Sequence, residues 1–167
     1  MIALLAGIGL AIVAGIAMGG CATPLEREAR QIEERTYELS LRRQVQSHIY
    51  SMSCMALLPL AADYLWERGY GDSKWIGDRE GLISEWKKEE GGAGSQYEIH
   101  AQELGPQQCT IQALRRREAK ESLERDPRWE WRFLQAVNPE QAGRLDFRAQ
   151  EEADGAYREV MERYGER

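Results

Sequence analysis

The chain has 167 residues, a formal net charge of −6 and a pI near 5.1. This length allows one ordinary domain with a hydrophobic core. The acidic balance argues against nucleic acid as a partner, because contacts to a phosphate backbone favour a basic face. The two histidines, His48 and His100, fall on different predicted elements, and the sequence has no His-Glu-x-x-His or paired Cys-x-x-Cys spacing. We therefore expect neither a metal nor another cofactor.

The N-terminal segment is an uncharged apolar run over residues 2–18, which ends in Met18-Gly19-Gly20-Cys21. Small residues before a cysteine, followed by the charged stretch 24–28, resemble the signal peptide of bacterial lipoproteins. The resemblance implies that residues 1–20 are removed and that acyl chains such as palmitate are attached to Cys21. Because Ala22 rather than Asp follows, it also implies delivery to the outer membrane, facing the periplasm. The alternative is a plain membrane anchor, since about 17 apolar residues are at the short limit for crossing a bilayer.

The cysteine content fits that location. With Cys21 acylated, Cys54 and Cys109 are the two cysteines that remain. An even pair in an oxidising compartment favours a disulfide, and closing so long a loop would stabilise the fold by roughly 4 kcal/mol in the chain-entropy model. The alternative is two separate buried thiols.

Residues 25–51 are rich in Glu, Arg and Gln and contain no glycine or proline, which predicts a helix beginning near Pro24. Leu25, Ile32 and Leu39 recur every seven residues, a spacing compatible with a short coiled-coil stalk. We favour an amphipathic helix laid against its own domain, because the heptad pattern fails after two repeats. His48, close to the predicted end of this helix, is interpreted as a helix-terminal cation.

Residues 53–66 are apolar almost all round and predict a core helix. Gly69 can adopt the left-handed conformation that ends such a helix. We expect one stripe of this helix to enter the core, and it comprises Leu58, Ala61, Ala62, Leu65 and Trp66.

Four segments then alternate apolar and polar residues, as strands do. They cover residues 75–76, 82–87, 97–104 and 109–115, and glycine-containing turns at 77–81, 91–95 and 105–106 separate them. The short connections imply antiparallel pairing. After Arg117 the pattern becomes helical, and Asp126-Pro127 and Asn138-Pro139 mark two helix starts.

The predicted fold is therefore α+β, with an antiparallel three- to four-stranded meander covered by helices, a long N-terminal helix and two C-terminal helices. The expected organisation is a signal peptide (residues 1–20), a lipidated N-terminus and helical stalk (21–52), a helix plus antiparallel sheet (53–125), and C-terminal helices packed on the same domain (126–167).

Residues 57–117 carry a second resemblance. The helix end Leu65-Trp66-Glu67-Arg68-Gly69-Tyr70, a turn with Asp78 and Gly81, and a strand over residues 82–86 are similar to the helix-plus-sheet domains of small outer-membrane lipoproteins. The C lipoprotein of the β-barrel assembly machine is one such case. The resemblance implies a scaffold or envelope-assembly role, and it carries over no functional residue, because the matched positions are structural.

The sequence shows no catalytic signature. The glycine-rich tract 91–95 lacks the Gly-Lys-Ser/Thr of a P-loop and is interpreted as a mobile hairpin loop, and no Gly-x-Ser-x-Gly elbow is present. Glu85 and Glu98 could serve glycan cleavage only from a desolvated cleft, and we interpret both as lying on a solvent-exposed strand face. His100 is expected on that face beside Glu98.

Two features suggest partner binding. Arg115, Arg116 and Arg117 could meet lipid phosphates or an acidic partner, although a solvated cluster paired with Glu118 and Glu121 is the simpler interpretation. Trp129 and Trp131 are two residues apart on a predicted helix, so they point to different sides and one could be exposed for docking. The other tryptophans, Trp66, Trp75 and Trp86, are assigned to the core.

The sequence predicts a non-catalytic lipoprotein of the bacterial cell envelope, anchored by a lipid on Cys21, which binds or tethers another envelope protein. One alternative is an enzyme that modifies cell-wall glycan or lipid. Another is a structural spacer between membrane and wall, which predicts that the long N-terminal helix projects free of the domain.

Overall fold

The computed structural model describes residues 22–78, 80–88, 93–118 and 120–165. The predicted signal peptide, the predicted lipidation at Cys21 and part of the glycine-rich tract lie outside the described residues. Among the helices that the structure describes, none combines the length and the apolar character needed to cross a membrane.

Within the described residues, four helices and six strands follow one another. The helices are α1 (Pro24–Gln46), α2 (Cys54–Glu67), α3 (Pro127–Val137) and α4 (Pro139–Gly165). The strands are β1 (Lys74–Ile76), β2 (Gly81–Ile83), β3 (Lys87–Lys88), β4 (Gly94–Gly105), β5 (Gln108–Arg117) and β6 (Lys120–Arg125). This is the α+β fold that the sequence predicts.

The helix starts agree with the sequence prediction. The Thr23 hydroxyl accepts a hydrogen bond from the Glu26 amide (3.2 Å), and the Glu26 carboxylate accepts one from the Thr23 amide (2.7 Å). Asp126 and Asn138 accept bonds from the first turns of α3 and α4 in the same way. Because each cap satisfies amides that have no partner within the helix, these short-range signals fix where the helices begin. At the end of α2, Gly69 has a φ of 78°.

All six strands pair antiparallel, in the order β1-β2-β4-β5-β6, and β3 pairs with β4 on the edge that β2 also uses. The predicted single strand over residues 82–87 is therefore two strands. Between them, the Glu85 amide donates to the Tyr70 carbonyl (3.0 Å), outside the sheet. The Ser84 hydroxyl accepts a hydrogen bond from the Tyr97 amide of β4 (2.9 Å). This bond connects β4 to the segment between β2 and β3, where the strand is interrupted.

The prediction of helical structure immediately after Arg117 is wrong, because β6 continues the sheet there. Arg116 pairs with Leu123 and Arg115 pairs with Glu124 across β5 and β6. Lys, Glu and Arg favour helices locally, but pairing with β5 overrides that preference at the sheet edge. The count of three to four strands is too low for the same reason and because of the division at Ser84.

The core lies between one face of the sheet and the helices α2 and α3. Its largest fully buried apolar side chains are Phe133, Leu57, Leu58, Leu65, Leu82, Ile99 and Leu134. The opposite face of the sheet carries Glu98 and His100, whose side chains lie 2.7 Å apart. His100 is thus on the partly exposed face where the sequence places it.

The assignment of three tryptophans to the core is wrong. Trp66 is 64 % exposed, Trp75 46 % and Trp86 48 %. The buried positions of α2 are Cys54, Leu57, Leu58, Ala61, Tyr64 and Leu65. Trp66 follows Leu65 by one residue, which rotates it about 100° away from that side chain.

α1 packs along α4, and the two helices run in the same direction. The Tyr37 hydroxyl donates to the Asp146 carboxylate, and Arg43 pairs with Glu152 at 2.7 Å. In each pair the two partners are separated by 109 residues in the sequence. Moving forward along α1 therefore corresponds to moving forward along α4 by the same number of residues. The hydrogen bond to Asp146 raises the pKa of Tyr37 to about 12. α1 therefore lies against its own domain, as the amphipathic alternative expects, and does not project free.

Cys54 and Cys109 form a disulfide, with their Cα atoms 5.1 Å apart. Next to it, Tyr50 and Cys109 exchange two backbone hydrogen bonds of 2.8 and 3.1 Å. The bridge and this short pairing together attach the connection between α1 and α2 to β5. The bridge is the pairing that the sequence analysis favours.

Candidate functional site

A groove of about 960 Å³ opens where the C-terminal half of α1, the end of α2, the strands β5 and β6 and the start of α3 meet. We call it the basic groove. Its cationic side chains come from both helices and strands, and they are Arg42, Arg68, Lys87, Arg115, Arg117, Arg125, Arg128 and Arg132.

The charge of the basic groove is opposite to that of the whole chain. Eight cations line it against the three carboxylates of Glu38, Glu124 and Asp126, although the net charge of the chain is −6. The Glu124 carboxylate accepts a hydrogen bond from Lys120 (3.0 Å), which lowers the pKa of Glu124. Positive potential is therefore concentrated on one surface of an acidic protein, an arrangement that attracts anions.

Asp126 has a structural role within the groove. One of its oxygens accepts from the backbone amides of Arg128 and Trp129 at 3.1 Å, which caps α3. The other accepts from the Tyr97 hydroxyl at 2.6 Å. Burial, together with that bond, raises the pKa of Tyr97 well above its ordinary value. The carboxylate of Asp126 is thus occupied by the fold and does not repel a ligand as a free charge would.

The Arg125 guanidinium also has its hydrogen-bond partners within the protein. Its guanidinium forms two hydrogen bonds to the carboxylate of Glu130, at 2.8 and 3.0 Å. Its Nη2 atom also donates to the Gln46 carbonyl at the end of α1 (3.0 Å). Arg125 therefore fixes the walls of the groove relative to one another, and the other cations are the ones placed to meet a ligand.

The floor of the groove is aromatic, and cations lie over three of its tyrosine rings. The guanidinium of Arg68 lies 3.4 Å from the ring centre of Tyr64, and the Lys87 ammonium lies 5.1 Å from that of Tyr70. The Arg115 guanidinium lies 6.0 Å from the ring centre of Tyr97. These cation–π contacts hold the cations over an apolar base, where their field is less screened than in water.

Two polar atoms in this floor lack partners among the described residues. They are the Tyr64 hydroxyl and the Trp129 indole Nε1, and each side chain is 4 % exposed. Both side chains line the groove. A buried donor without a partner costs about 1–3 kcal/mol. Both atoms are closed off from solvent, so this cost stays within the fold.

The predicted binding residues divide between the two faces of the sheet. Arg115 and Arg117 line the basic groove, whereas Arg116 points to the other face and lies 3.9 Å from Glu98. The Glu118 carboxylate, predicted to pair with this cluster, accepts from the Gly94 amide at 2.9 Å. The Glu121 side chain lies outside the described residues. Strand alternation explains the division, because neighbouring residues point to opposite faces.

Both predicted tryptophans line the basic groove. Trp129 is buried in the floor and stacks on Phe133, with ring centres 5.0 Å apart. Trp131 is half-buried and packs against the core. Most of the cations of the groove, including Arg42, Arg68, Arg128 and Arg132, are absent from the predicted binding residues. The alternation of Arg and Trp over residues 128–132 is a signal for Arg128 and Arg132.

The remaining predicted residues lie elsewhere. Burial lowers the pKa of His48, which opposes its interpretation as a helix-terminal cation. Glu85 is exposed and lies in the connection between β2 and β3, whereas Glu98 is half-buried on β4. Within the described parts of the chain, no cluster of His, Cys, Asp or Glu has the arrangement of a metal site. Comparison with protein-family models, with curated proteins and with solved structures finds no match to this chain.

Proposed function

We propose that this protein is a non-catalytic, lipid-anchored binding module of the bacterial cell envelope, and that its basic groove takes an acidic segment of another envelope protein. The lipid would be attached to Cys21 and would hold the domain on the outer membrane, facing the periplasm. The observation that carries the proposal is the concentration of cationic side chains in one groove of an acidic chain.

The type of cation supports a ligand with carboxylates. Seven of the eight cations are arginines. A guanidinium presents a planar fork that donates two parallel hydrogen bonds to a carboxylate or a phosphate. Among the described residues, no carboxylate forms an ion pair with Arg42, Arg68, Arg128 or Arg132. These four side chains are therefore available to a ligand.

The covered floor argues against a ligand that binds by stacking. A nucleobase or a sugar ring needs the open face of an aromatic side chain. In the basic groove, cations lie over the rings of Tyr64 and Tyr70, and Tyr97 contacts other rings as well as Arg115. A ligand that enters the groove meets guanidinium groups first, which favours an acidic peptide.

The position of the groove along α1 argues against the headgroups of the anchoring membrane as its ligand. The lipid would be three residues before Pro24, whereas the groove uses α1 from Tyr37 to Val45. From Pro24 to Arg42 the helix rises about 27 Å, at 1.5 Å per residue. The groove thus lies at the end of α1 remote from the anchor. A partner segment in the periplasm would reach it more easily than lipid phosphates would.

Anchoring would supply the rest of the mechanism. A domain confined to a membrane encounters a partner in the same envelope at a high effective concentration, so a modest affinity is sufficient for association. No bond needs to be made or broken. The groove would select the partner by charge, and the lipid would place the two together.

Binding is tested with an acidic peptide and a pair of matched double variants. The probe is acetylated hexaglutamate, measured by calorimetry with the soluble domain. Arg128→Gln with Arg132→Gln removes two exposed charges from the groove, and Arg148→Gln with Arg158→Gln removes two exposed charges from α4. We expect the first pair to weaken binding about four- to twentyfold, from the usual worth of exposed ion pairs, and the second pair to leave it nearly unchanged. Equal losses, or no binding by the parent protein, would contradict the proposal.

The anchor is tested separately, in cells. Labelled palmitate should be incorporated into the parent protein and not into Cys21→Ser, and mass spectrometry should find an acylated cysteine as the first residue. An intact N-terminal methionine or an unmodified Cys21 would contradict the lipid anchor. The peptide measurement would not be affected by that result, because it uses the domain alone.

A further inference from the structure

A second, smaller cavity of about 380 Å³ lies beside the basic groove, and Arg117 lines both. We call it the Trp86 pocket, and its other lining residues are Trp86, Arg116, Glu118 and Lys120. We propose that the Trp86 pocket is a second subsite, which receives the continuation of the acidic peptide held in the basic groove. This inference rests on the proposed function, and it identifies the ligand as an extended acidic chain rather than a compact anion.

The charge of the Trp86 pocket matches that of the groove. Three cations line it against Glu118, whose carboxylate already accepts a hydrogen bond from the Gly94 amide at 2.9 Å. The Arg116 side chain is 39 % exposed, and its only described ion-pair contact is Glu98 at the long distance of 3.9 Å. The exposed part of the Arg116 guanidinium is therefore placed to donate hydrogen bonds to a ligand carboxylate.

Trp86 gives the pocket an apolar surface. It is 48 % exposed. Its ring also packs over Gly94, where an added Cβ would lie 3.3 Å from a ring atom. The side chain is thus held in place on one side and open on the other. Large rigid side chains of this kind contribute much of the energy in peptide interfaces, because they bury area at a small entropic cost.

The two cavities meet at Arg117, which lines both of them. Arg115, Arg116 and Arg117 alternate faces along β5, so the first serves the groove, the second serves the Trp86 pocket and the third borders both. Lys120 lines the pocket and Glu124 lines the groove, and their side chains form an ion pair at 3.0 Å. A peptide that leaves the groove over the end of β5 passes Arg117 and meets Trp86 next.

The test compares a short with a long acidic peptide. Acetylated hexaglutamate extends over roughly 20 Å and dodecaglutamate over roughly 40 Å. We expect the long peptide to bind more tightly by about tenfold or more, because the second subsite is then filled at a high effective concentration. Inorganic phosphate, a compact anion, should bind weakly and should not distinguish the variants.

Variants in the Trp86 pocket should affect the long peptide selectively. Trp86→Ala and Arg116→Gln should each weaken dodecaglutamate about two- to fivefold or more and leave hexaglutamate unchanged. The controls are Trp75→Ala and Lys74→Gln, which change exposed residues of the same sheet outside both cavities. Arg116 lines the Trp86 pocket and not the basic groove, so Arg116→Gln keeps the test decisive if Trp86→Ala does not fold.

The possible failures are distinguishable. If both peptides bind equally and the pocket variants have no effect, the second subsite is wrong and the basic groove stands. If neither peptide binds, the proposed function itself is wrong. If polygalacturonate of matched charge binds more tightly than dodecaglutamate and depends on Trp86, the ligand is an acidic glycan and the assignment to a peptide is overturned.

Discussion

Arg125 and Glu130 form a partly buried ion pair, in which the Glu130 side chain is 2 % exposed and the Arg125 side chain 27 %. The same Glu130 oxygen that faces Arg125 Nε also accepts from the Ala113 amide, at 3.0 Å. One carboxylate therefore connects β5, β6 and α3. Burial raises the pKa of Glu130, and the hydrogen bonds from Arg125 and Ala113 oppose that shift.

Removing the charge of Glu130 should destabilise the protein. Glu130→Gln keeps the shape of the side chain, but it leaves the half-buried guanidinium of Arg125 without its counter-charge. We expect the free energy of unfolding to fall by about 1.5–3 kcal/mol, measured by urea denaturation. Glu140→Gln is the control, because Glu140 is 79 % exposed and its pair with Arg144 should be worth less than about 1 kcal/mol. Equal losses of unfolding free energy in Glu130→Gln and Glu140→Gln would show that the Arg125–Glu130 pair contributes no more than an exposed ion pair.

The disulfide should account for a large part of the stability. It closes a loop with a sequence separation of 55 residues, which corresponds to about 4 kcal/mol in the chain-entropy model. The variant with Cys54→Ala and Cys109→Ala should lose roughly that amount in urea denaturation. Reduction of the parent protein should produce a similar loss, and reduction of the variant should produce none. A parent protein with two free thiols by mass spectrometry would exclude this account.

Two glycines should respond to the same substitution in opposite ways. Gly143 lies inside α4 with no neighbouring atom within 4 Å of an added Cβ, so Gly143→Ala should raise the free energy of unfolding by about 0.5–1 kcal/mol. At Gly81, an added Cβ would clash with the carbonyl oxygen of Ile99 on the adjacent strand. Gly81→Ala should therefore lower stability. Thermal denaturation of the pair measures both effects, and a shared sign would contradict the strand contact.

The stability should fall in mild acid because of His48. Burial lowers the pKa of His48 below its ordinary value of 6.5, and its ring packs edge-on against Tyr50 at 4.6 Å between centres. Between the two pKa values the unfolded chain binds the extra proton, so the free energy of unfolding decreases as the pH falls below about 6.5. His48→Gln should remove part of this slope below about pH 6.5. Equal slopes in the parent protein and in His48→Gln would contradict the assignment.

The parts of the fold that the sequence predicts correctly depend on short-range signals. Thr23, Asp126 and Asn138 each precede a proline and cap a helix, and those signals need no knowledge of the rest of the chain. The alternation over β4 and β5 is likewise local. β6 was mistaken for a helix because its charged residues fit either structure, and only pairing with β5 decides between the two.

The basic groove could not be predicted from the sequence, because it too depends on contacts between distant segments. Its cations come from α1, from the end of α2, from three strands and from α3. No window of the sequence is strongly basic except Arg115-Arg116-Arg117, and strand geometry divides even that triplet between two faces. The net charge indicated an acidic protein, but a net charge does not show how the charges are distributed over the surface.

The shared direction of α1 and α4 has a consequence for how the chain folds. Two helices that point the same way cannot be joined by a tight loop, so the whole sheet is synthesised between them. α1 is synthesised before α4, and until α4 follows, the face of α1 with Ala29 and Ser40 has no cover from α4. Contacts between segments so distant along the chain form slowly. We therefore expect the docking of α4 against α1 to be a late step in folding. That step fixes the positions of both helices together.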